Sequence, residues 1–142
     1  MPMTGKCLCG AVRYEIQKDE QEVSACHCRM CQAWSGGVFF GIQAAKDEVT
    51  LEGAENLTLF RSSDWAERGF CKTCGSSLFY RVTAPGPMQG ELHIGAGTLD
   101  DWNTLTLSSE IFIDRKPAAY AFAGERPRKT AAEIFAMFAS PE

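Results

Sequence analysis

No apolar run in this chain approaches the ~18 residues that a membrane span requires, so no membrane segment is expected. The opening MPMTGKCLCG lacks an apolar stretch of signal-peptide length, and seven cysteines, an odd number, fit a disulfide framework badly. A reducing cytoplasm is therefore the expected setting. Basic charge is also short: the net charge is −4, whereas binding to phosphate backbones rests on a basic stripe. No nucleic-acid partner is expected. The chain has no repeat, no low-complexity tract and no shift in composition that would mark a domain boundary. Residues 1–142 are thus expected to form a single domain, long enough to bury about two-thirds of the surface its unfolded chain exposes. Its 45% hydrophobic and 23% charged content is that of a soluble globular protein. An oligomeric state does not follow from any of this.

What the chain does have is cysteine in three short clusters: CLC at 7–9, CHCRMC at 26–31 and CKTC at 71–74. Cysteines one or two residues apart converge readily on one ion, and thiolate sulfur suits zinc. Core packing would scatter them, and a redox CxxC should open a helix inside a βαβ unit, which neither Cys28–Cys31 nor Cys71–Cys74 does. Four thiolates close a structural zinc, and three are the usual protein complement of a catalytic zinc with an open position. Seven therefore suggests one site of each kind.

Short β-rich runs alternate with turn residues at 11–16, 38–42, 57–61, 68–71, 77–82, 91–94 and 111–113, so a mainly β fold is expected. The stretch APGPMQG at 84–90 reads as the loop of a hairpin. Thr130 and Glu133 have capping-box spacing, which starts a short C-terminal helix. Ile134, Phe135 and Phe138 share one face of that helix, expected to pack on the sheet with no further function.

If residues 26–28 are extended, Cys26 and Cys28 project to one side and His27 to the other, so His27 does not join them. Cys31 follows Cys28 at CxxC spacing, so three thiolates can meet without a fourth local ligand. CKTCG has the form of a zinc knuckle, with Gly75 accommodating the turn beneath the sulfurs. Long-range closure of Cys7, Cys9, Cys71 and Cys74 completes a four-cysteine site. A zinc-ribbon pairing of Cys28, Cys31, Cys71 and Cys74 is the alternative. Its gap of 39 residues exceeds the usual ~15–20, and it strands three cysteines.

GKCLCGAVRYE at 5–15, CHCRMCQAWSGG at 26–37, RGFCKTCGSSL at 68–78 and GTLDD at 97–101 together resemble the glutathione-dependent formaldehyde-activating enzyme family, also called the CENP-V/GFA domain. The resemblance implies an Mss4-like complex β fold around a structural zinc on Cys7, Cys9, Cys71 and Cys74. It implies a second, catalytic zinc on Cys26, Cys28 and Cys31, giving two zincs per chain, the second site being open to oxidation. It also implies a carbon–sulfur lyase activity in which a small-molecule thiol such as glutathione adds to formaldehyde or a related small aldehyde. Zinc with three thiolates polarises water weakly, yet can accept a fourth sulfur and deprotonate it. No general base can be named. Two positions depart from the family pattern: Glu110 stands before Ile111 where many relatives have histidine, and Tyr120 stands near a usual tryptophan. Both are expected to shape the pocket.

Other residues are weaker candidates. Arg29 could meet a carboxylate of an anionic thiol, but reads as a solvated arginine. His93 reads as a strand histidine, and Trp34, Phe39 and Phe40 as core aromatics. Asp100 and Asp101 read as turn residues after Leu99. A zinc deaminase would need a Glu two residues after its first ligand and a Pro-Cys-x-x-Cys run, and neither is here. The remaining alternative is a non-catalytic, zinc-stabilised binding module with no glutathione activity.

Overall fold

The computed structural model describes residues 2–19 and 22–139. Its elements run in the order β1 (Met3–Lys6), β2 (Arg13–Ile16), β3 (Glu22–Cys26), α1 (Arg29–Ser35), β4 (Phe39–Ala44), β5 (Val49–Glu52) and β6 (Leu57–Arg61). Then come β7 (Ala66–Cys71), β8 (Ser77–Val82), β9 (Leu92–Gly95), β10 (Thr106–Ile111), β11 (Arg128–Lys129) and α2 (Ala131–Ala139). The fold is mainly β with a short C-terminal helix, as the alternating pattern predicts. Among the described residues no helix is long and apolar enough to cross a membrane.

Two sheets share one core. A three-stranded sheet has the order β1-β2-β5, and an eight-stranded sheet the order β11-β10-β3-β4-β9-β8-β7-β6. Because strand side chains alternate between faces, β4 sends Phe40, Ile42 and Ala44 into the core shared with Tyr14 and Leu51 of the smaller sheet. Its Phe39, Gly41 and Gln43 line a cavity on the opposite face. Strands β8 and β9 divide in the same way, with Phe79, Leu92 and Ile94 in the core and Tyr80 and His93 on the cavity. Gly69 of β7 lies opposite Phe79, whose ring covers it; a Cβ there would stand 2.6 Å from the ring.

Four expectations are corrected. The strand expected at 11–16 begins at Arg13, because Ala11 and Val12 belong to the turn that wraps Cys7, where Cys7 N–H donates to the Val12 carbonyl at 3.0 Å. The strand expected at 111–113 ends instead at Ile111: Phe112 turns the chain with a left-handed φ of 57°, and a single 3-10 turn follows. CHCRMC is a strand end followed by a helix, so Cys28–Cys31 does open a helix, though one between antiparallel β3 and β4 and thus outside any βαβ unit. The C-terminal helix is capped as expected, with Glu133 N–H donating to Thr130 Oγ1 at 3.2 Å and Thr130 N–H to Glu133 Oε1 at 2.7 Å. Its apolar residues, however, roof the cavity: Ile134 is buried, while Phe135 and Met137 line the mouth at 46% and 52% exposure. The side chain of Phe138 lies outside the described residues. The 84–90 segment does connect the paired strands β8 and β9, and its Met88 reaches the cavity wall.

Candidate metal centres

Two turns meet to form the four-cysteine cluster. The β1–β2 turn carries Cys7 and Cys9, and the β7–β8 turn carries Cys71 and Cys74; Leu8 N–H donates across to Ser76 Oγ at 2.9 Å. The four sulfurs all lie within 4.8 Å of one another, with Cys7–Cys9 at 3.7 Å and Cys9–Cys71 at 3.8 Å. Backbone N–H groups aim at the sulfurs: Val12 at Cys7 (3.3 Å), and Thr73 and Cys74 at Cys71 (3.4 and 3.5 Å). Such donors favour the thiolate form. A hydrogen bond with Ser76 draws the Cys74 thiol down to about 5. Gly75 has φ 80°, the left-handed conformation the knuckle requires. Of the two pairings left open by spacing, this is the one the fold assembles.

The three-cysteine cluster is made where β3 hands over to α1. Cys26 ends the strand, and Cys28 caps the helix, its sulfur accepting from Cys31 N–H at 3.2 Å. Capping places residues 28 and 31 on the same side of the first turn, so the sulfurs of Cys26, Cys28 and Cys31 fall within 4.8 Å of one another. All three are buried. Hydrogen bonds from Cys26 and Cys31 draw Cys28 down to about 2, and the same contact with Cys28 pushes Cys26 far up. Sulfur-to-sulfur hydrogen bonds of this kind favour ionising one thiol of the three, and a soft divalent cation can displace the remaining protons. Among the described residues no further Cys, His or carboxylate joins these three, and they face a cavity of about 350 Å³.

His27 points the other way, as alternation requires. Glu110 Oε1 accepts from its Nε2 at 2.9 Å, and its Nδ1 meets Tyr120 Oη at 2.8 Å. Arg126 and Arg128 donate to Glu110 Oε2 at 2.8 and 3.0 Å. Burial would raise the Glu110 carboxyl, but the bonds from His27 and the two arginines outweigh it and hold the carboxyl below its ordinary range. Glu110 and Tyr120 therefore do not line the cavity, contrary to expectation: they brace the back of the cysteine-bearing strand.

The residue that sequence reasoning missed is Arg68. Only 4% exposed, it lies on the cavity wall with its guanidinium between the rings of Trp34 (5.1 Å) and Tyr80 (5.2 Å), and NH1 donates to Cys31 Sγ at 3.4 Å. Its only sequence signal is a place three residues before Cys71. Phe39 does wall the cavity, while Trp34 packs beside the cysteines and Phe40 points into the core side. Tyr80 is pushed well above its ordinary range by burial, and His93, stacked on it at 4.4 Å, is pulled down to about 4 by burial. Arg29 is exposed and bonds Gln32 at 2.8 Å, outside the cavity. Asp100 accepts from Thr4 (2.6 Å) and Asp101 from Asn103 N–H (3.0 Å), both as turn residues.

Comparison with known proteins gives a consistent picture. Residues 2–115 match the family model described as glutathione-dependent formaldehyde-activating enzyme. An uncharacterized lyase of Schizosaccharomyces pombe is 31% identical over 130 residues, 92% of each chain. A relative from Halomonas elongata, provisionally named a glutathione-dependent formaldehyde-activating enzyme, is 31% identical over 87 residues, covering 56% of this chain and 55% of its own. The crystal structure of a Rhodobacter sphaeroides protein superposes with a TM-score of 0.58 at 27% identity, over 71% of this chain and 91% of that one.

Proposed function

This chain belongs to the glutathione-dependent formaldehyde-activating enzyme family, and from that premise we propose that it is a zinc-dependent carbon–sulfur enzyme that joins a small-molecule thiol to formaldehyde or a related carbonyl. The observation that carries this reading is the unequal pair of clusters. Cys7, Cys9, Cys71 and Cys74 form a closed four-sulfur set that ties two turns together, while Cys26, Cys28 and Cys31 are three sulfurs facing a cavity. The first set suits a structural zinc and the second a zinc with one position open.

A zinc there would supply a site where an incoming thiol loses its proton near neutral pH. The chain's residues supply the rest. Phe39 and Trp34 shield the sulfurs, lowering the local dielectric and strengthening the charges beside them. The thiol sulfur forms a bond to the carbonyl carbon, the π pair moves to oxygen, and that oxygen takes up the proton the thiol released. Nothing is oxidised or reduced.

Three thiolates around a divalent cation leave one negative charge, which the Arg68 guanidinium offsets. Arg68→Met is therefore expected to weaken zinc at Cys26, Cys28 and Cys31 by about 10–100-fold, the usual effect of a supporting residue, with Arg68→Lys in between. Competition with a chromophoric chelator measures it, and unchanged affinity would reduce Arg68 to a packing role.

The function itself is tested with the zinc-loaded protein, ¹³C-formaldehyde and a panel of thiols that includes glutathione. Magnetization-transfer NMR should show the S-hydroxymethyl adduct forming and dissociating faster than in buffer. If no thiol's exchange is accelerated, the enzymatic reading is wrong and a purely structural zinc module takes its place.

A further inference from the structure

Adding a thiol to a carbonyl puts negative charge on the carbonyl oxygen, and a donor already aimed at that oxygen lowers the barrier. Several polar side chains on the cavity wall are already engaged. Ser24 and Ser109 hydrogen-bond each other at 2.9 Å, Ser108 donates to the Val23 carbonyl at 3.5 Å, and the Gln43 amide donates to Glu91. Tyr80 differs. Of the three tyrosines in the chain, Tyr14 Oη meets Thr98 Oγ1 at 2.6 Å and Tyr120 Oη meets His27 Nδ1 at 2.8 Å. Tyr80 lines the cavity, and its hydroxyl has no hydrogen-bond partner among the described residues. A further donor without a partner, the buried Nε of Arg68, belongs to the guanidinium stacked on the Tyr80 ring.

The sheet fixes where that ring lies. Arg68, Tyr80, His93 and Gln43 pair in a row across β7, β8, β9 and β4, so their side chains share the cavity face. The Tyr80 ring stacks on His93 at 4.4 Å, tilts against Phe39 at 5.8 Å and carries the Arg68 guanidinium at 5.2 Å. It packs against the cluster that holds Cys26, Cys28 and Cys31, and the charges of all three sulfurs reach its hydroxyl. A ring held by three neighbours keeps its hydroxyl in one place, so the donor needs no reorganisation at the moment of reaction. The ordinary phenol pKa of about 10 leaves it protonated at neutral pH.

We propose that Tyr80 is a catalytic residue for the thiol addition: its hydroxyl donates to the carbonyl oxygen of the aldehyde while the sulfur is held at Cys26, Cys28 and Cys31. The proposal rests on the thiol-addition reading and adds the proton donor that reading leaves unnamed. As the carbon–sulfur bond forms, the π pair moves to oxygen and takes the phenol proton. The phenolate then regains the proton that the thiol released, so the side chain ends as it began and nothing is oxidised or reduced. Arg68, stacked on the same ring, places a positive charge beside the phenolate while it lasts.

The experiment compares the zinc-loaded protein with Tyr80→Phe. The change removes one unbonded hydroxyl, so zinc content and the thermal midpoint should stay as they are. The rate constant for S-hydroxymethyl exchange at saturating thiol should fall about 100-fold, as when one donor to an oxyanion is lost, with the dissociation constant of the thiol unchanged. A readout apart from activity uses thioacetate, whose oxygen sits on the carbon that bears the sulfur, as in the adduct, and ethanethiol, which has no oxygen. Tyr80→Phe should weaken thioacetate about tenfold, in keeping with one hydrogen bond to a charged acceptor, and leave ethanethiol unchanged. A full rate in Tyr80→Phe overturns the proposal alone, leaving thiol addition standing. Equal weakening of thioacetate and ethanethiol also overturns it. Should Tyr80→Phe fail to fold, ¹³Cζ-tyrosine labelling of the unaltered protein decides: one of the three tyrosine resonances should shift with thioacetate and none with ethanethiol, and identical behaviour with both overturns the proposal. If the unaltered protein accelerates exchange of no thiol, the proposal falls together with the reading on which it rests.

Discussion

Cys71→Ser is expected to unfold the protein, whereas Cys28→Ser is expected to leave it folded with one zinc instead of two and with activity reduced by more than about 100-fold, beyond the 10–100-fold typical of residues that only support a ligand. The asymmetry comes from what each sulfur holds. Cys71 is fully buried and accepts from two backbone N–H groups, and its cluster joins the β1–β2 turn to the β7–β8 turn. A structural zinc contributes about 10–16 kcal/mol of apparent binding free energy, as large as the whole stability of a typical domain, about 5–15 kcal/mol. Cys28 carries a different load. It caps α1, and serine is among the best capping residues, so the hydroxyl can still accept from Cys31 N–H. What serine removes is one of three thiolates, and two are too few to retain zinc against solvent. Metal analysis under reducing conditions and thermal unfolding of both variants check this. Equal unfolding by the two, or one zinc per chain in the unaltered protein, would sink the division of roles.

The grouping of the seven cysteines into a set of four and a set of three was legible in the sequence because cysteine spacing is a direct statement about geometry. The strands were legible where apolar residues alternate between turns, as in β4 and β8. Strand β10 was not: TLSSEI is polar, and it is a strand because β3 and β11 pair with it in parallel on either side. Helix α1 was missed because seven residues are too few to display a helical period. The face of α2 was legible but its partner was not, since spacing shows that a side is apolar without showing what lies opposite. Arg68 illustrates the same gap more sharply. An isolated arginine reads as a surface residue, and only pairing of β7 with β8 brings it beside Tyr80, with α1 supplying Trp34 and Cys31.

Glu110→Ala is expected to destabilise the protein by about 3–5 kcal/mol, the usual consequence of breaking a buried ion pair from one side. The carboxylate is 2% exposed and receives His27, Arg126 and Arg128, so its removal strands three donors at once. Glu110→Gln should cost less, because an amide oxygen can still accept from His27 Nε2, but it takes the charge partner from Arg126 and leaves Arg128 only the exposed Glu125. The pH dependence separates this network from mere packing. Glu110 has a folded-state carboxyl below its unfolded value. Its contribution is therefore present above the ordinary carboxylate pKa of about 4.3 and is lost as pH falls through the folded value. Denaturant unfolding between about pH 6 and pH 3 should show the unaltered protein losing stability more steeply than Glu110→Gln, so that the two curves converge in acid. Curves that stay parallel would mean that the carboxylate charge contributes nothing. The network sits directly behind the strand that ends in Cys26, with His27 beside it in sequence and Glu110 opposite Ala25. Loosening it should accordingly also loosen the three-cysteine cluster. Zinc at Cys26, Cys28 and Cys31 is expected to exchange faster in Glu110→Gln than in the unaltered protein, while zinc at the distant four-cysteine cluster keeps its rate.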